Sequence, residues 1–170
     1  MLQLYYPILL KYGMRLYRDK EFVKDSVHDL FVELWHRREN LGDVVSVKGY
    51  LFQSLRRNII RESRRISWFR EADIISDDYD FDVAFNIESV LIAEEDQKDQ
   101  HRSLQIHLNQ LTKRQREALF LRYTEELAYE EIGDIMGINY RSAVNLVHEA
   151  IKSIRKSWIS IILLLLYIFS

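Results

Sequence analysis

Apolar residues along this chain recur three and four positions apart and almost nowhere alternate, which is the period of helices rather than strands. The spacing predicts helices over residues 2–17, 21–38 and 47–65, with a break at 39–46 around Gly42. The second of these places Phe22, Val27, Leu30, Phe31, Leu34 and Trp35 on one face. Asp25, Asp29 and Glu33 follow one another at four-residue steps on another face, as an acidic stripe. Over 67–86 the period is lost among Asp73, Asp77, Asp78, Asp80 and Asp82, and the stretch reads as a linker. Helical spacing returns near Ile87 and continues through Leu91, Leu104, Ile106, Leu108 and Leu111. The expected fold class is therefore all-α.

The last third is punctuated more sharply. Thr112 is placed to cap a helix running to 123. A short helix over 129–136 ends at Gly137, suited to a left-handed C-cap, and Asn139 then caps a helix over 140–158. Two helices about such a turn spell a helix-turn-helix. Ile132, Ile135 and Met136 are spaced to pack on Ala143, Val147, Ala150 and Ile154. That packing leaves Tyr140, Arg141, Ser142, Val144, Asn145, His148 and Lys152 on the free face of the second helix, available to a DNA major groove. Spacing alone leaves open a helical hairpin that only packs.

Charge divides the chain more firmly than hydropathy does. Residues 1–70 hold 14 Lys+Arg against 8 Asp+Glu, residues 71–103 hold 2 against 11, and residues 104–170 hold 8 against 7. The near-neutral total of -2 hides a basic module, an acidic tether and a balanced module. We expect two small helical domains, at 1–66 and 104–157. Between them lies an acidic linker, 67–103, that runs into the first helix of the second domain, and after them an apolar tail, 158–170. As a helix, 158–169 would reach only about 18 Å, short of the ~30 Å of a bilayer core. The absence of cysteine excludes disulfides and thiolate metal sites, and it suits a reducing cytoplasm. No secretory leader is apparent at the start.

The third helix concentrates Arg56, Arg57, Arg61, Arg64 and Arg65 with only Glu62 among them. Basic side chains clustered at helical spacing suit nucleic-acid phosphates, though a solvated charged face has the same composition. Tyr50, Phe52 and Trp68 are candidates for stacking on unpaired bases, and each taken singly fits a core as well.

Four segments in this order carry a family resemblance: DSVHDLFVELW (25–35), GYLFQSLRRN (49–58), LTKRQREALFLRY (111–123) and YEEIGDIMGI (129–138). The chain resembles extracytoplasmic-function sigma factors of RNA polymerase, in particular the Bacteroidetes-like kind. The resemblance implies a cytoplasmic protein that binds bacterial core RNA polymerase and promoter DNA, with no cofactor and no metal. It implies that helix two docks on the coiled coil of the β′ clamp through Asp25, Asp29, Phe31 and Trp35, with Glu33 completing the stripe. The helix bearing Arg56, Arg57, Asn58, Arg61 and Arg65 would then melt and read the minus-ten element, with the 39–46 loop near an unpaired base. The helix-turn-helix would read the minus-thirty-five element and touch the β flap. An acidic linker in this family threads toward the active-site cleft.

The chain departs from the pattern in places. Its start looks clipped, and His28 stands where a glutamine is usual. Val144 and Glu149 occupy reading-helix positions that are commonly basic, so weak reading of the upstream element is expected. An anti-sigma factor or a recruiting protein gripping the C-terminal domain or the apolar tail would then matter.

Other functions fit less well. There is no phosphate-cradling glycine loop, no HExxH and no GxSxG, and catalysis is not expected. Asp25, His28, Asp29 and Glu33 on one helix suit a partner better than a metal. A stand-alone helix-turn-helix regulator would share the C-terminal half but has no need of a docking helix followed by an arginine-rich one. A membrane-attached adaptor rests on the tail alone.

Overall fold

The computed structural model of the protein describes residues 2–39, 45–69, 81 and 108–168. Among these the elements are all helical: α1 (Leu2–Leu16), α2 (Lys20–His36), α3 (Val47–Phe69), α4 (Lys113–Leu119), a π-helical turn (Phe120–Thr124), α5 (Tyr129–Met136) and α6 (Tyr140–Ile168). The expected fold class holds.

Local chemistry sets the boundaries. The Asp19 carboxylate accepts from the backbone N–H groups of Glu21 and Phe22 and opens α2. Thr112 and Gln115 cap each other reciprocally at the start of α4. Gly137 closes α5 at φ 65°, in the left-handed region, and Asn139 accepts from the Ser142 N–H to open α6. A Cβ on Gly133 would lie 2.8 Å from the Ile138 carbonyl, so the tight turn between α5 and α6 requires glycine there as well.

Three elements depart from expectation by more than a residue or two at an end. The helix after Thr112 widens into the π turn, with Glu125 N donating to the Phe120 carbonyl, and Phe120 and Leu121 both stay buried. Helix α3 runs beyond 65 to Phe69, and α6 runs beyond 158 to Ile168. Neither extension contains a glycine or proline to stop it.

Helices α1, α2 and α3 pack mutually around Leu9, Leu16, Val23, Val27, Leu30, Leu34, Leu51, Leu55 and Ile59. In the C-terminal half, Ile132, Ile135 and Met136 meet Ala143, Val147 and Ala150 as the periodicity predicts, with Ile154 half-buried beside them. The two halves do not stand apart. Helix α5 packs against α3, and one continuous apolar cluster runs through both. Tyr12 lies 4.8 Å from Phe52 and stacks on Phe120 at 6.0 Å between centroids. Phe81, described alone within the acidic stretch, is fully buried against Tyr12 and Phe120.

Candidate polymerase and nucleic-acid interfaces

Helix α2 turns Val23, Val27, Leu30 and Leu34 inward, and this fixes what it shows to solvent. Asp25, Asp29 and Glu33 are exposed along it, and Phe31 is half-buried. Beside them Trp35 is 67% exposed and Val32 41%, large apolar surface that no other described helix covers. The Arg38 guanidinium lies 4.8 Å over the Trp35 ring and donates to its backbone carbonyl, which orients the indole. Glu33 pairs with Arg37 at 2.9 Å, an exposed contact of small energetic weight. Upstream, the hydrogen bond from Lys24 to Glu21 raises that ammonium above its ordinary value.

On α3 the arginines divide. Arg57, Arg61, Arg64 and Arg65 are exposed and follow one another at four, three and one residues, so they share a face. Glu62 pairs with both Arg61 and Arg65, and Asn58 accepts from Arg61 at 3.4 Å. Arg56, expected on this basic face, points elsewhere. It is only 11% exposed and donates to the Glu117 carboxylate of α4 at 2.8 and 3.3 Å. Phe52 is likewise no stacking platform, because it is fully buried in the core, and Tyr50 is half-buried. The side chain of Trp68, most of the 39–46 loop and nearly all of the 67–103 linker lie outside the described residues.

The turn of the helix-turn-helix presents the start of α6. Tyr140, Arg141, Asn145, His148 and Lys152 are exposed, and Ser142 and Val144 are half-buried. Tyr129 meets Tyr140 edge-on and carries the Arg122 guanidinium 4.8 Å above its ring, which braces this end. Glu149 sits amid the basic side chains, 3.6 Å from the Lys152 ammonium and 3.5 Å from His148 Nδ1. Farther along α6, Ile151, Ile154 and Arg155 join Leu119 and Tyr123 to line an open apolar groove of about 420 Å³.

Sequence reasoning missed Glu117. It is completely buried, and it accepts from the Tyr12 hydroxyl at 2.6 Å as well as from Arg56. Its period offered a clue, because Phe120 and Leu121 stand three and four residues on, and so Glu117 shares their inward face. A second carboxylate, Glu125, is nearly buried and pairs with Lys48 of α3 at 3.0 Å, while Lys48 also donates to its carbonyl. Gln53 of α3 donates to the Asp134 carbonyl of α5 at 2.8 Å.

Comparison with known families matches two parts of the chain. Residues 1–69 match Sigma-70 region 2, and residues 103–154 match Sigma-70, region 4. No curated protein matches the chain. A solved structure similar to it is the sigma factor RpoE from Bartonella quintana, determined in complex with the anti-sigma factor NepR. It is 21% identical, with a TM-score of 0.64 over 92% of this chain and 93% of that one, a likeness of fold.

Proposed function

We propose that this chain, which matches Sigma-70 region 2 and region 4, is an alternative sigma factor of the extracytoplasmic-function type, and we assign its surfaces to polymerase and promoter. Helix α2 docks core RNA polymerase at the β′ clamp coiled coil, with Trp35 and Phe31 as apolar anchors and Asp25, Asp29 and Glu33 steering toward a basic surface. Arg57, Arg61 and Arg65 on α3 hold backbone phosphates while Asn58 lies near an opened base of the minus-ten element. Tyr140, Arg141, Ser142, Asn145, His148 and Lys152 face the minus-thirty-five element, and the groove between Leu119 and Ile154 receives the β flap. The observation that carries this reading is the division of one short chain into an exposed acidic and aromatic helix, an arginine face and a helix-turn-helix, in the family's order. The Bacteroidetes-like subtype rests on the four sequence segments. The same reading puts the protein in the cytoplasm, with no catalytic step of its own. Among the described residues no helix is long and apolar enough to cross a membrane.

Purified core polymerase with this protein should initiate from its cognate promoter, and core alone should not. Within that reaction, R57A together with R65A should reduce permanganate reactivity of the melted region by about tenfold or more, while core binding changes little. Each lost phosphate contact should also flatten the salt dependence. Footprints as strong as wild type would remove α3 from promoter opening.

The upstream element is expected to matter less. A good bidentate base contact is worth roughly 1–3 kcal/mol. Arg141 and Asn145, near the start of α6, carry the side chains suited to one, and Glu149 partly neutralises Lys152 farther along. Scrambling the minus-thirty-five element should therefore cost about 30-fold in specific initiation, the low end of two such contacts, rather than abolish it. A collapse would show that α6 reads DNA well unaided, with no recruiting partner gripping the C-terminal domain or the tail.

A further inference from the structure

We infer that Tyr129 is a positioning residue for reading of the upstream promoter element, and that with Arg122 it braces the Tyr140 ring in place before DNA arrives. The role rests on the sigma-factor reading above, and it employs two residues, Arg122 and Tyr129, that the polymerase and promoter contacts leave unused. Tyr140 is the first residue of α6 and is 53% exposed, so an unsupported ring there would sample several rotamers. Tyr129, the first residue of α5, meets it edge-on, with ring centroids 6.1 Å apart and planes at 84°. The aromatic quadrupole favours this arrangement. The Arg122 guanidinium lies 4.8 Å from the Tyr129 ring centroid, over its face, and holds that ring in turn.

The brace is anchored in backbone. Arg122 belongs to the π turn and donates to the Leu127 carbonyl at 2.9 Å, while the Leu127 N–H donates to the Leu121 carbonyl at 3.0 Å. Both polar backbone groups of Leu127 are thus tied to the π turn, and its side chain is buried. This double tie holds the preceding residue, Glu126, at φ 56°, a left-handed conformation uncommon for a residue with a Cβ. The path into α5 is therefore fixed, and Tyr129 stands two residues past Leu127. Half-buried against the core, Tyr129 has less freedom than the ring it meets. Unlike Arg141 and Asn145, Tyr140 has no fork of polar atoms to offer a base edge. What it supplies is a rigid aromatic surface, and a side chain already immobilised loses less freedom on binding.

The test compares specific initiation by core polymerase and the full chain on two promoters, one with the upstream element intact and one with it scrambled, and reads the ratio. Tyr129→Leu keeps apolar bulk but removes the ring, and it should lower the wild-type ratio by about fivefold. Tyr129→Phe should restore it. Tyr140→Ala should lower the ratio at least as far, and adding Tyr129→Leu to it should cost nothing more, because no ring is left to hold. A Tyr129 that merely packed would give additive losses and reduce initiation on both promoters alike. Either that pattern or a Tyr129→Leu ratio equal to wild type overturns the brace and leaves the sigma-factor reading intact. A wild-type ratio near one overturns it as well, since there is then no reading to position. If wild type initiates from neither promoter, the functional reading fails and the brace falls with it.

Discussion

Truncating Trp35 to alanine is expected to weaken binding to core RNA polymerase by about 30-fold or more. Interface hot spots are enriched in tryptophan and cost about 2 kcal/mol or more when truncated, and every 1.4 kcal/mol is a factor of ten. The side chain is 67% exposed, its neighbour Val32 is also in solvent, and the Arg38 guanidinium holds the ring in place before any partner arrives. Fold stability should move by less than about 0.5 kcal/mol, since the ring supports no core residue. Exchanging Asp25 and Asp29 together for lysine is expected to act differently, mainly slowing association and doing so most at low salt. A titration of labelled protein with core, followed at two ionic strengths, separates the two effects. An affinity for W35A within about threefold of wild type would take the docking surface away from α2.

The second large effect belongs to Glu117. Removing one member of a buried ion pair typically costs about 3–5 kcal/mol, because the partner is left charged and dry. Here the partners, Arg56 and Tyr12, belong to the other half of the chain, so the molecule has an alternative to unfolding. By opening, it returns Arg56 to water. Glu117→Ala should therefore shift the balance between closed and open forms by about two to three powers of ten while helix content is retained. Small-angle scattering should report a larger radius of gyration, and far-UV circular dichroism should stay unchanged. Replacing Arg56 and Glu117 together with methionine should restore much of the closure, as paired apolar substitutions at buried ion pairs often do. Unaltered scattering from E117A would mean that the aromatic cluster of Tyr12, Phe52, Phe81 and Phe120 holds the halves together without help.

What the sequence made legible was local in origin. The turn between α5 and α6 is written in Gly137 and Asn139 within a few residues of each other, and its packing partners follow at helical spacing. The acidic stripe of α2 is visible for the same reason, since a period is a property of neighbours. Helix ends were harder. Nothing at 65 or 158 forbids another turn, and the chain took several. The fate of Arg56 was beyond reach, because its carboxylate lies 61 residues away, past the acidic stretch, and five similar arginines compete for any partner. Composition called them one basic face; packing took one of them inside. Phe52 went the same way, since an aromatic at helical spacing suits a core and a stacking platform equally.

Helix α6 has a mechanical consequence. It runs unbroken from Tyr140, beside the turn, to Ile168, 29 residues and about 43 Å at 1.5 Å per residue. The side chains proposed to face DNA and the apolar end of the chain are thus fixed to a single stiff rod, pivoted where Ala143, Val147 and Ala150 seat against α5. The pivot lies in the first third of the rod, so the tail forms the long arm of a lever and Tyr140, Arg141 and Ser142 the short one. A modest force at the far end is multiplied at the near end, and a small rotation of the near end sweeps the tail through a wide arc. Whatever holds that tail still also sets the angle at which the first turn meets DNA.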